Sequence, residues 1–258
     1  MNYKIKIDYK EFLYTLILPL LITFVYLFFR NNKDILAYNR SNFKFWQIYT
    51  KDFINDSFIH YFGNVIVILI VSIVLFLLLS KIRREYLTKY LLFFVVLIVP
   101  PLTSISDILF VFPRSSSNYF LGSSNIASAL IGLVMFFFSY IMLKKEFNVQ
   151  KVYYYTLLIV VFIFSWIYYF KLSTIFLYVI LALLIFFYKL IFARKIKFRK
   201  FFSHNKVAKI VIVLFIYILL LQSSFPNKVD NINILGHYFG LALGVIMGNL
   251  TSQIHKLN

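Results

Sequence analysis

Long apolar runs broken by short charged segments set the pattern of this chain. Segments such as Val65 to Leu79 and Val207 to Leu221 are apolar nearly all round, whereas a helix on the surface of a water-soluble domain keeps one polar face. Runs that approach or exceed the roughly 18 residues needed to cross a hydrocarbon core recur from end to end. They predict eight transmembrane helices: Phe12 to Phe29, Phe58 to Ser80, Tyr90 to about Ser106, Gly122 to Leu143, Val152 to Phe170, Thr174 to Phe192, Val207 to Phe225 and Ile232 to Leu250. The expected fold is all-α and polytopic, a single transmembrane domain over residues 1–258. The basic amino-terminal stretch MNYKIKIDYKEF lacks a small-residue cleavage site after it, so the first run reads as a retained span.

Two of the connecting segments are unusual. Arg30 to Ser57 is polar and aromatic and too long for a simple connector, so it is expected to carry structure of its own. Pro100 and Pro101 read as an interruption of the third helix. Beyond them, apolar Ile108 to Phe112 is expected to dip into the membrane interface, with Asp107 a solvated loop charge.

Composition strengthens the membrane assignment: 62% of residues are hydrophobic, 21% aromatic and only 14% charged. The formal charge of +18 raises nucleic acid as a partner, but the 27 Lys and Arg residues sit in short loops between apolar runs. That placement fits anionic lipid and cytoplasmic retention of basic residues rather than a phosphate-binding surface. With the amino terminus in the cytoplasm, nineteen of the 27 fall on the cytoplasmic side, so both termini are expected there and the protein is expected in the cell membrane. Cysteine is absent, which removes disulfides and thiolate nucleophiles from consideration.

The seven glycines are confined to three of the predicted helices: Gly63 in the second, Gly122 and Gly132 in the fourth, and Gly236, Gly240, Gly244 and Gly248 in the last. The last four recur at every fourth position and line one side of a helix, as small residues do where backbones approach closely in membranes. The fourth helix carries a matching small face, Ser124, Ser128 and Gly132. These two helices are expected to cross in contact, with Gly122, Gly240 and Gly244 as packing positions.

An ionisable side chain inside a span is costly and marks a functional site by default. His237 sits one turn before Gly240, and His60 and Asn64 stand four apart on one face near the start of the second helix. His60, Ser124 and His237 all fall within the first turns of helices that start at the outer surface in the favoured orientation, so they share one slice of the bilayer. A hydroxyl becomes a nucleophile when a neighbouring base takes its proton, and histidine suits that task near neutral pH. Ser124 as nucleophile and His237 as base form the candidate catalytic pair. His60, Asn64 and the Ser124 amide are candidates to stabilise the oxyanion of an acyl-transfer intermediate.

These residues resemble the motifs of the rhomboid family of intramembrane serine proteases, in the family's order. GSSN at Gly122 to Asn125 stands for Gly-x-Ser-x, HYFGLALG at His237 to Gly244 for His-x-x-Gly-x-x-x-Gly, and HYFGN at His60 to Asn64 for His-x-x-x-Asn. Trp46, Thr50 and Phe58 stand where the family's first outer loop enters the second helix. The resemblance implies a six-helix core, here with about two additional spans, and a Ser124–His237 dyad without a third acid. It further implies His60 and Asn64 as oxyanion stabilisers, no metal or other cofactor, and membrane-protein substrates with a transmembrane segment. Asn125 replaces a common glycine, Ser128 a common aromatic residue and Gln47 a common arginine. The family has one helix between those that carry serine and histidine, and three are counted here. One or three crossings bring the histidine helix in from the same side.

Three other functions compete. A relative that binds membrane clients without cutting them has no chemical use for both Ser124 and His237. A transporter is expected to interrupt helices in corresponding positions of two halves, and the prolines at 100 and 101 have no counterpart. Two histidines without a nearby carboxylate or cysteine make a poor zinc set.

Overall fold

The computed structural model describes residues 8–111, 119–145, 147–170, 206–224 and 234–255. The chain is mostly helical. Its long helices are α1 (Tyr9–Phe29), α3 (Phe58–Lys81), α4 (Leu87–Ser106), α5 (Ser124–Leu143), α6 (Val149–Phe170), α7 (Lys206–Ser224) and α8 (Ile234–Ile254), with a short α2 (Gln47–Thr50) in the segment before α3. Among the described residues, α1, α3, α4 with its extension to Leu109, and α5 are long and apolar enough to cross a membrane, which fits an all-α membrane protein. The span expected at Thr174 to Phe192 lies outside the described residues.

Capping fixes where the helices begin and end. Asp8 accepts from the Lys10 amide at the start of α1, and Ser57 accepts from the His60 amide at the start of α3. At the end of α3 the Arg84 amide reaches Leu79 O at 2.9 Å and the Arg83 amide reaches Ser80 O at 3.0 Å, the paired bonds of a Schellman cap. Arg83 takes the left-handed position (φ 59°) that glycine more often fills, which turns the chain into α4.

The interruption expected at Pro100 and Pro101 is not formed: α4 runs through both prolines and continues as a π-turn over Asp107–Val111. Proline's ring tolerates a helical φ, and a membrane helix packed against neighbours accommodates the lost N–H donors.

Helix α5 is the centre of the bundle. It is buried on nearly every side, with Leu130, Leu133, Phe136 and Phe137 fully enclosed, and α3, α4, α6, α7 and α8 all pack on it. By contrast α1 turns Leu13, Ile17, Leu20 and Phe24 outward, as a lipid-facing helix does.

The long segment before α3 has structure of its own, as its length and composition predict. A 3₁₀ turn over Lys33–Ile35, β1 (Tyr38–Asn39), α2 and a second 3₁₀ turn over Lys51–Phe53 follow in order. Strand β1 pairs antiparallel with β2 (Tyr119–Phe120), Tyr38 opposite Phe120, tying this segment to the approach to α5. Trp46 Nε1 donates to Ile35 O at 3.0 Å and Thr50 Oγ1 to Leu36 O at 2.8 Å. Gln47 is buried; its Oε1 accepts from the Asn39 and Lys44 amides while its Nε2 donates to Asp34 O. One neutral side chain thereby closes the loop.

Candidate active site

Ser124 is the first residue of α5, and the turn that delivers it is held from residues 51–55 at three successive points. The Gly122 amide donates to Lys51 O at 3.0 Å. The Ser123 amide donates to Asn55 Oδ1 at 3.3 Å. Asn125 Nδ2 donates to Asp52 Oδ1 at 3.0 Å. Gly122 has φ +145°, a region that L side chains rarely enter, so glycine is required there for the chain to turn into the helix.

Asn55 is the hub of this clasp. It is buried, exchanges hydrogen bonds with the Ser123 side chain, and accepts from Asn64 Nδ2 at 2.9 Å. Asn64 thus directs one amide N–H to Asn55. The pairing at Asn64 through which the resemblance reads an oxyanion stabiliser is therefore also a structural one.

Behind the turn lies a buried ionic cluster. Lys51 Nζ stands 2.8 Å from Asp52 Oδ1 and 2.9 Å from Asp107 Oδ2, with all three side chains enclosed. Thr103 Oγ1 donates to Asp52 Oδ2 at 2.7 Å. Burial alone would favour the neutral amine of Lys51, but the two carboxylates outweigh it and raise its pKa above the ordinary lysine value. Burial likewise pushes the Asp52 carboxyl up, against the opposing pull of Lys51. Asp107 is therefore not the solvated loop charge expected from the sequence. The π-turn at the end of α4 faces it inward, where a lysine distant in sequence compensates the cost of burial.

His60, in the first turn of α3, is partly exposed. Its Nδ1 meets Asp56 Oδ1 at 2.9 Å, and the other edge of its ring faces the serine turn. A Cβ built on Gly122 would lie 3.3 Å from His60 Cε1, 3.8 Å from His60 Nε2 and 3.5 Å from Ser124 Oγ. The absent side chain of Gly122 thus leaves a point within contact of both the imidazole and the hydroxyl. The Ser124 hydroxyl forms no hydrogen bond with another described residue.

The glycine stripe of α8 lies directly on α5. A Cβ on Gly240 would stand 2.5 Å from Asn125 O and 3.3 Å from Ser128 Cβ; on Gly244, 1.9 Å from Ala129 O; on Gly132, 2.1 Å from Leu241 O; on Gly248, 2.6 Å from Phe136 Cδ1. The packing expected of Gly240 and Gly244 is present, backbone against backbone. Contacts advance together along both helices, so α5 and α8 are parallel. Carrying the register of Gly240 on Ser128 and Gly248 on Phe136 back by one turn sets His237 level with residues 122–125. His237 is buried in the first turn of α8. The buried Ser128 is small where Gly240 packs, its Cβ 3.3 Å from the position of the missing Gly240 Cβ.

Sequence reasoning named Ser124, His237, His60, Asn64 and the glycines but passed over Lys51, Asp52, Asn55, Ser123 and Thr103. A signal was present for some of them, since KDFIND packs four polar residues in six immediately before the apolar run of α3. Their partners Asp107 and Asn125 lie far along the chain and leave no local mark. Comparison of the chain with protein-family models, with curated proteins and with solved structures gives no match.

Proposed function

We propose that this protein is an intramembrane serine endopeptidase that cleaves transmembrane or juxtamembrane segments of membrane proteins. Ser124 is the nucleophile, His237 the general base, and His60 with Asn64 the stabilisers of the oxyanion. The supporting observation is that the Ser124 hydroxyl and the His60 ring flank the same side of Gly122, at the level where the α5–α8 register sets His237. A carbonyl drawn in between the Ser124 hydroxyl and the His60 ring would meet a nucleophile and a donor at once, the juxtaposition acyl transfer requires. In apo enzymes the nucleophile–base hydrogen bond is often long and tightens only with substrate, so an unbonded Ser124 hydroxyl is compatible with this role.

The reaction runs in two halves. The Ser124 hydroxyl proton passes to His237 as its oxygen attacks the scissile carbonyl; collapse of the intermediate expels the amine, which takes the proton from His237. Water then repeats the sequence on the acyl-enzyme. Because the peptide carbonyl of an intact helix is engaged, substrates need a locally unwound segment. The proposal includes eight spans with a six-helix core and two additional helices, both termini in the cytoplasm, and a site near the outer face of the cell membrane.

Purified protein treated with a serine-directed fluorophosphonate tests this reading. Wild type is expected to label, and Ser124→Ala and His237→Ala are expected not to. Equal labelling of all three, or of none, favours instead a rhomboid-like protein that binds transmembrane clients without cutting them.

A further inference from the structure

Asn55 stands outside every motif, yet it decides which way the Asn64 carboxamide faces. Its Oδ1 accepts from the Ser123 amide at 3.3 Å and from Asn64 Nδ2 at 2.9 Å, and its Nδ2 donates to Ser123 Oγ at 3.1 Å. A main-chain N–H is a donor and nothing else, so the atom of Asn55 that meets the Ser123 amide is its oxygen. The atom of Asn64 that meets this oxygen is then its nitrogen, because the opposite orientation sets two oxygens against each other. A carboxamide that could otherwise sit either way round is thus keyed to the backbone of the serine turn. Asn55 and Ser123 are both fully buried, so water does not compete for these bonds. Neither the two amides nor the hydroxyl titrates near neutral pH, so the arrangement depends on no protonation state.

The clasp also determines which donors are left over. Asn55 takes up the Ser123 N–H and one N–H of Asn64. The second N–H of Asn64 and the Ser124 amide have no hydrogen-bond partner among the described residues. One of these unspent donors lies on α3 and the other at the start of α5, and Asn55 is the side chain that ties the two elements together beside them.

We propose, resting on the protease reading above, that Asn55 is a positioning residue for the reaction: it holds Asn64 as a hydrogen-bond donor in fixed register with the Ser124 amide, so that both unspent N–H groups serve one oxyanion. Asn55 itself touches neither substrate nor the reacting atoms. Replacing it leaves Ser124 and His237 in the chain and removes what keeps the donors in place. Its loss therefore falls on the rate of the chemical step rather than on binding of the probe.

The test labels the full-length protein in detergent over a range of fluorophosphonate concentrations, giving for each variant a saturating rate constant, a half-saturating concentration and a labelled endpoint. Asn55→Ala is expected to lower the saturating rate constant on the order of 100-fold, with the half-saturating concentration and the endpoint little changed. A purely structural role would instead lower the endpoint, as unfolded protein is lost, and leave the rate constant of the folded remainder. Asn55→Asp, which keeps an oxygen facing both donors, is expected to recover most of the rate. Asn55→Ser, too short to reach both, repeats the loss should Asn55→Ala fail to fold. Asn64→Ala is expected to slow labelling by a similar factor, and adding it to Asn55→Ala to slow labelling by less than about threefold more, the non-additivity of residues that act through one another. A wild-type rate constant in Asn55→Ala or Asn55→Ser, a loss confined to the endpoint, or additive losses with Asn64→Ala overturns the proposal while the protease reading stands. Wild type that does not label overturns both.

Discussion

Gly122 shows how much one missing carbon decides. Alanine there meets a positive φ and a Cβ pressed against the His60 ring and the Ser124 hydroxyl. Gly122→Ala is expected to cost about 1–3 kcal/mol of stability and to abolish fluorophosphonate labelling. Lys51 is the opposite case, a side chain whose removal leaves two enclosed carboxylates without their cation. Lys51→Met is expected to destabilise by about 3–5 kcal/mol, read as a lowered melting temperature in detergent. Because partners raise the pKa of Lys51, its contribution is complete below the ordinary lysine value of about 10.4 and is lost only as pH rises through the higher folded value. The melting temperature of wild type is therefore expected to hold through neutral pH and to fall at strongly alkaline pH, with less of that fall in Lys51→Met. Asn125 and Gln47 have structural roles at this scale: Asn125 ties α5 to Asp52, and Gln47 closes the segment before α3.

Between elements, the legible part was the part written in local periodicity. Glycines and serines at every fourth position of α5 and α8 announced a close crossing, because helix pitch alone places them on one face. Their register is tight enough to test. Gly244→Val is expected to force α5 and α8 apart, since a Cβ there falls 1.9 Å from Ala129 O, and to lower the melting temperature by more than Gly63→Val, where nothing lies within 4 Å of the added atom. The clasp on the serine turn was not legible. It joins Lys51, Asp52 and Asn55 to residues 122–125 and Asp107, and no window of sequence spans such a pairing. Reading Asp107 as solvated followed from its loop-like neighbours, whereas its environment is set by a residue two helices away. The prolines at 100 and 101 misled for a related reason: local propensity argued for a break that tertiary packing overrides.

For the molecule as a whole, parallel packing of α5 and α8 constrains topology. Two helices that cross a membrane in the same direction are joined by an odd number of crossings. The absence of cysteine gives a clean background for mapping sides. Ser41→Cys, on the exposed loop before α3, is expected to react with a membrane-impermeant maleimide in intact cells. Lys145→Cys, just past α5, is expected to react only after permeabilisation. The reverse pattern inverts the assignment of outer and cytoplasmic faces.

The Lys51–Asp52–Asp107 cluster also bears on how the chain is made. A ribosome releases Lys51 and Asp52 well before Asp107, and Asp107 before Asn125, so the charges are gathered in the order of translation. The residues that hold the start of α5 have therefore all been synthesised when α5 emerges. Every residue that clasps the serine turn thus precedes it in the chain, whereas the glycine helix α8 that packs along α5 follows it.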